Sequence, residues 1–493
     1  MSGTFSGYNI SMSGMSVNQS ALAVVGSNIS NVNTAGYSRK QVSSAERVVS
    51  QSGGGSVGSG TDLAEVKRAR NALLDQTYRN YNADKGYWEV KSTNLEDIQE
   101  TLNEYSAADG SAENGLQQTL EEFFNSWEEL SKDPSSLSNR QSALENAATL
   151  LSTLQDIDSQ LEQLQQDCVT EVQAGVDRLN DLAAQIADLN TRIVQQELSG
   201  VEAGDLRDQR DSLLDEMSTL AAITTGESGN GVFTVTIGGV ALVQGSQLHK
   251  LETSGAGTTE DPFKVQWADL GYEAAIGSGS IAAYLEDCDP SAVQDISSVP
   301  ADFSAASGSS IANLRQGLNI MITAIAQEIN VLHASGSDLE GNAGLDFFTT
   351  IDAAQPLSLS NMQVNPELTA DPDKVVTSTS GAAEDNTIAT GIYNLMDDED
   401  LFLFNGLATD LNGYYESLIS WVATAGETAS GYYDTQSSLV KNVDTQRQSI
   451  SAVSLDEEMT KMIMYQNAYN ASAKVLSTID GLLGELIQDL GGN

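Results

Sequence analysis

Hydrophobic positions along this chain recur mostly in steps of three and four residues, the period of helices that meet along a narrow seam. The longest run starts at Leu151 and passes through Leu154, Asp158, Leu161, Gln165, Cys168, Val172, Gly175, Leu179, Leu182, Ile186, Leu189 and Ile193. A repeat sustained over that length predicts one long coiled-coil-like helix whose seam must meet another helix, in the same chain or in a neighbour. After the break at LSGVEAGD a second helix is predicted, with Leu206, Leu213, Leu214, Met217 and Leu220 buried and the RDQRD run between them exposed.

The period then changes to two. Val232, Thr234, Thr236 and Val240 to Val243, punctuated by GESGNG and IGG, predict short strands in a hairpin. Uneven strand and turn signals continue to about Tyr284, and helical signal returns over Ile311 to Leu332 and again from about Tyr414 to the end.

Both extremes of the chain repeat the helical step. At the C-terminus it runs Leu455, Met459, Met462, Gln466, Tyr469, Ala473, Leu476, Asp480, Leu483, Ile487 and Leu490; at the N-terminus, Met15, Asn18, Leu22, Val25, Ile29 and Val32. A solitary helix is marginal in water and chain ends usually fray, so stripes at the two extremes point to pairing of the termini. Ser454 and Glu457 form a capping box that starts the C-terminal helix. The expected fold is mainly α with a β-rich inserted domain, and a long coiled-coil-like helical stalk formed by the N- and C-terminal segments. Residues 1–40 and 450–493 form the terminal helical domain in this scheme, 41–222 and 306–449 the stalk with some β, and 223–305 the β-rich outer insertion.

Charge narrows the function. The 493 residues carry 69 Asp and Glu against 23 Lys and Arg, a net charge of −46. Nucleic acid needs clusters of Lys and Arg that are missing, and an anionic membrane surface is excluded for the same reason. No apolar window approaches the length of a membrane span, and no basic residue precedes Arg39, so neither membrane insertion nor a cleavable secretory signal is expected. With only His249, His333, Cys168 and Cys288, histidine-based and cysteine-based metal sites lack ligands.

The remaining motifs read as structure. Gly53, Gly55 and Gly58 fit a G-x-G-x-x-G pattern, but no buried strand precedes them and no Lys follows to cradle phosphate, so a hairpin or loop is expected. DLEGNAG from Asp338 to Gly344 lacks the distal Glu of a calcium loop, and consecutive carboxylates at Asp397 to Asp400 cannot converge on one ion. No nucleophile motif lies in a strand-to-helix turn. No catalytic residue, metal or cofactor is therefore expected.

SALAVVGSNISNVNTAGYSRKQV, from Ser20 to Val42, resembles the N-terminal signature of bacterial flagellar axial proteins, with matches at Asn28, Asn31, Asn33, Thr34, Gly36, Tyr37, Ser38 and Arg39. The chemistry agrees, since Asn and Gly tolerate the turn conformations that end a helix. Ala35 stands where the family often has Pro. SISAVSLDEEMTKMIMYQNAYNASAKVLSTIDGLLGELI, from Ser449 to Ile487, resembles the C-terminal signature, with Ala452 replacing the usual Gly. LRDQRDSLLDEMSTL, VLHASGSDLEGNAGLDFF and AEDNTIATGIYNL narrow the resemblance to the hook-associated branch of that family.

The resemblance implies a ring of subunits joining the flagellar hook to the filament, with the hook protein below and hook-associated protein 3 above. It implies a place outside the cell, reached through a type III apparatus without a cleaved signal, and a cytosolic export chaperone on the C-terminal helix beforehand. Assembly would run through the terminal stripes, at Met15, Leu22, Val25, Ile29 and Val32, and at Leu455, Met459, Met462, Tyr469, Leu476, Leu483, Ile487 and Leu490. The alternative is a secreted coiled-coil adhesin or effector with a β-rich binding module. It accounts for the heptads and the acidity but not for the NVNTAGYSR turn combined with a SLDEE helix.

Overall fold

In the computed structural model, residues 2–51, 55–102, 115–198, 200–228, 231–258, 260–290, 296, 299–305 and 308–491 are described. From the N-terminus, helix α1 (Ser2–Ser30) is followed by a hairpin of β1 (Lys40–Gln51) and β2 (Gly55–Arg68), then α2 (Ala72–Leu102), α3 (Leu116–Lys132), α4 (Leu137–Glu197) and α5 (Gly204–Leu220). A strand-rich stretch follows: β3 (Thr224–Glu227), β4 (Phe233–Ile237), β5 (Val240–Gln244), β6 (Gln247–Leu248), β7 (Leu251–Ser254) and β8 (Lys264–Trp267). Next come α6 (Ser280–Asp287), β9 (Ala301–Phe303), α7 (Ser310–Ala334), β10 (Phe348–Thr350), β11 (Met362–Val364), α8 (Pro366–Ala370) and α9 (Thr387–Asn394). β12 (Phe402–Phe404), β13 (Leu407–Thr409), α10 (Leu411–Ser451) and α11 (Leu455–Gly491) complete the chain. The fold is mainly α, with small sheets inserted between the helices.

The heptad seam forms α4, and every seam position from Leu151 to Ile193 is buried except Gly175, which is half-buried. Its three irregular positions have local causes. Arg315 of α7 donates to Asp158 at 2.7 Å and to the Gln165 amide oxygen at 3.1 Å, which satisfies two acceptors inside the seam. At Gly175 a Cβ would lie 2.8 Å from Ile281 of α6, so only glycine admits that side chain.

The described residues divide into two compact units. One comprises residues 1–83, 179–250 and 436–493, and the other 84–178 and 251–435. The 223–305 segment supplies strands to both. In the first unit β3 to β6 form an antiparallel sheet in sequential order, with the predicted hairpin turning at Gly238 and Gly239 between β4 and β5. In the second, β7 pairs with β8, β10 with β11, and β12 lies between antiparallel β13 and parallel β9.

The second unit is organised around α7. This helix is apolar nearly all round, from Ile311 to Ile329, as befits a helix in the middle of a core. Trp127 and Phe123 of α3 pack with Phe347 and Phe348, and His333 lies against the same cluster. His333 is not left to satisfy the end of its own helix. Its Nδ1 bonds the Leu345 carbonyl and its Nε2 accepts from the Val376 N–H, tying three segments together.

Candidate functional site

In the first unit α1 and α11 lie side by side, and the residues that join them at one end are the two family signatures. Asn28, on the last turns of α1, is fully buried. Its amide nitrogen donates to the Lys40 carbonyl at 2.9 Å and to Glu458 Oε2 at 2.8 Å, while its oxygen accepts from Tyr37 Oη at 2.9 Å and from the Lys40 N–H at 3.0 Å. Four bonds at one side chain thus fasten the helix end, the turn after it, the start of β1 and the first turn of α11. Glu458 is as deeply buried, its second oxygen held by Lys461 at 2.7 Å.

The turn between α1 and β1 owes its shape to short polar residues. Asn31 donates to the Ser27 carbonyl, Thr34 to Asn31, and Gly36 takes a φ of 78°, where a side chain would be strained. Arg39 then crosses to the other end of the chain. Its backbone N–H reaches the Ser451 carbonyl at 2.8 Å, and its guanidinium meets Glu457 at 2.8 Å. Asn33 and Gly36 remain exposed at the tip of the turn. Beside it lies a cleft of about 470 Å³ walled by Tyr78, Ser212 and Arg447.

An arginine–aspartate network underlies this clasp. Ser38 donates its N–H to Asp208 at 2.9 Å, and Asp208 shares Arg68 with Asp211 at 2.8 and 2.7 Å. Arg79 reaches Asp211 and Asp215, Arg447 reaches Asp215 and Asp75, and Arg70 reaches Asp75. Burial alone would push the Asp211 carboxyl up, but the guanidinium groups of Arg70, Arg68 and Arg79 outweigh it and hold that carboxyl below the usual carboxylate range. Burial likewise opposes the charge on Arg447, and Asp215 overcomes it, so its pKa rises.

This corrects the sequence expectation for RDQRD. Asp208, Arg210 and Asp211 are buried, with only Gln209 fully exposed. A charged run between leucines reads as a solvated face unless the complementary charges are known. The clue lay in Arg68, Arg70 and Arg79, clustered in a chain so poor in cations.

The assembly stripes divide between two environments. On α1, Val25 is buried and Met15, Leu22 and Ile29 are half-buried, as is Val32 in the turn that follows. On α11, Met462, Tyr469, Leu476 and Leu483 are half-buried, whereas Leu455, Met459 and Ile487 are exposed and the side chain of Leu490 lies outside the described residues. The helices approach closely through small residues: a Cβ on Gly14 would lie 3.1 Å from Ser472, and one on Gly7 3.1 Å from Ile479. One side of α11 carries Leu455, Met459 and Ile463 at steps of four residues, each about half exposed. Of the glycine pattern, Gly55 and Gly58 fall in β2, and Gly53 lies outside the described residues.

Among the described residues, no group of three or more His, Cys, Asp or Glu side chains is placed to hold a metal ion, and no helix is long and apolar enough to cross a membrane. The site is a fastening of paired charges and buried hydrogen bonds.

The profile of the flagellar hook-associated protein FlgK helical domain matches residues 95–348. The C-terminal profile of flagellar basal body rod FlgEFG proteins matches residues 444–489, and that of flagella basal body rod proteins matches 9–37. The chain is 28% identical to flagellar hook-associated protein 1 of Bacillus subtilis, over 100% of this chain and 99% of the relative. It is 24% identical to the protein of that name from Salmonella typhimurium, over 97% and 99%. Its fold is similar to that of the flagellar hook junction protein FlgK from Burkholderia pseudomallei, with a TM-score of 0.60 at 14% identity, over 76% of this chain and 100% of that one.

Proposed function

The chain belongs to the FlgK family of flagellar hook-associated proteins and is a structural protein of the flagellar hook junction, and we propose that its copies join there into a ring through the terminal helical pair. The observation that carries this reading is the division of α11 into two faces. One is clasped to α1, and the other leaves Leu455, Met459 and Ile463 in solvent at successive turns. A cluster of apolar side chains on one side of a helix marks a surface that another protein covers. Contacts of that kind need no energy source at the site of assembly, because burial of apolar surface drives them.

On this reading the ring stands outside the cell, with the hook protein below it and hook-associated protein 3 above. The chain reaches it without a cleaved signal, and a cytosolic chaperone covers the C-terminal helix before export. Its role is mechanical, with no catalytic step assigned to it.

Electron microscopy tests the proposal. Cells lacking the gene are expected to carry hooks without filaments, and a gene carrying Ile463→Arg should fail to restore them although its product folds. Normal filaments in the deletion strain, or full rescue by Ile463→Arg, would refute it.

A further inference from the structure

A ring built head to tail needs two different faces on every subunit, and the exposed side of α11 supplies only one. We propose that the other is the groove between α4 and α5, and that it receives the first turns of α11 from a second copy of this chain. The inference rests on the ring reading above and names the partner surface within it.

The groove measures about 660 Å³. Leu189 and Leu213 form its floor, while Gln185, Asp188 and Arg192 of α4 and Ser212 of α5 form its lips. Leu189 belongs to a small core with Ile193 and Ala203, against which Leu213 packs, so the floor is fixed by the fold. From Gln185 to Arg192 the α4 lip spans two turns, about 10 Å. On α11 the row Leu455, Met459, Ile463 spans about 12 Å at the same helical rise. Three apolar side chains at successive turns match a two-turn groove with an apolar floor.

Charge fixes the direction. The first turn of α11 is acidic, and Asp456 in it is exposed. Arg192 is a cation of the groove with half of its side chain in solvent, paired with Asp188 of its own helix at 3.5 Å. Such an exposed pair is weak and readily gives way to a new partner. With Asp456 set at Arg192, Ile463 falls beside Gln185, and the incoming α11 runs antiparallel to α4. Its N-terminus then lies near the C-terminal end of α4, the favourable arrangement of the two helix dipoles.

Cysteine cross-linking tests this on the full-length chain. Cys168 and Cys288 do not interfere, since both are buried and burial pushes the Cys288 thiol up to about 12 and the Cys168 thiol higher still. Sedimentation velocity first establishes that the wild-type chain self-associates; a chain monomeric at every concentration overturns the ring reading together with this one. A Gln185→Cys chain mixed with an Ile463→Cys chain is then expected to give a covalent dimer with a short bismaleimide, and the double variant a ladder. Self-association without that cross-link, or a link formed only within one chain, overturns the groove and leaves the ring reading standing. Arg192→Glu is expected to weaken self-association by roughly tenfold, with Asp456→Arg restoring it; no loss, or no restoration, counts against the pairing.

Discussion

Replacing Asn28 by Ala would remove all four hydrogen bonds at the centre of the clasp and leave Glu458 buried with Lys461 as its remaining partner. A buried bond to a charged group contributes about 1.5–3 kcal/mol, so Asn28→Ala is expected to destabilise the first unit by roughly 3 kcal/mol in urea denaturation. Cleavage by protease near residue 450 should accelerate with it. The importance of Asn28 was legible as a turn-forming residue in a signature; its bond to Glu458 was not, because nothing local in a sequence links residues so far apart. His333 follows directly on the helical signal of Ile311 to Leu332, and its burial there has a separate consequence. Burial pushes its pKa down to about 4 from 6.5, with Arg140 acting in the same direction and the bond to Leu345 opposing. The unfolded chain therefore takes up the proton first, so stability is complete above pH 6.5 and is lost as the pH falls toward 4. Between pH 7 and pH 5 the second unit should lose about 2 kcal/mol to this group alone, a loss absent in His333→Asn. Equal pH dependence of the two proteins would exclude it.

Among the elements, α11 separates two effects that a simple stripe runs together. Its three-and-four-residue spacing was visible in the sequence, but a repeat does not say which partner each side meets. Leu476 is half-buried in the pair with α1, and Ile463 is exposed. Leu476→Arg is thus expected to open the pair, at a cost of several kcal/mol if the guanidinium stays desolvated. Ile463→Arg should change stability by less than about 0.5 kcal/mol while abolishing self-association. Thermal unfolding and sedimentation of both variants check this, and loss of stability in Ile463→Arg would overturn the division of faces. For α4 the sequence was nearly sufficient, since a long seam admits one helical solution. Its irregular positions Asp158, Gln165 and Gly175 became intelligible only with Arg315 and Ile281 in place. The hairpin of β1 and β2 had no clear alternation to announce it: its register shifts between Ser43 and Ser44 and again between Glu46 and Val48, which breaks the period-two pattern.

For the whole molecule the net charge of −46 sets the terms of association. Copies brought into contact repel over a Debye length, about 8 Å at physiological ionic strength and about 3 Å in 1 M salt. Self-association is therefore expected to strengthen as NaCl rises from 0.1 to 1 M. A sedimentation profile unchanged across that range would show that the acidic residues lie too far from the contacts to matter. Composition revealed this charge at once but not its distribution. Four of its cations, Arg68, Arg70, Arg79 and Arg447, are gathered in one internal network, where they stabilise the fold and are not free to neutralise the surface.

The bond from Asn28 to Glu458 closes a loop of 430 residues. Closure over such a separation comes late in folding, because the contact rewards the chain only after the intervening segments are ordered. The clasp therefore registers completeness. A chain emerging from a narrow conduit, whichever end leads, cannot close until its last helix has cleared the exit, and a truncated copy lacking α11 never closes at all. Faulty or half-delivered subunits would thus lack the finished surface that a growing structure adds to, and the fold itself would act as the inspector of what is incorporated.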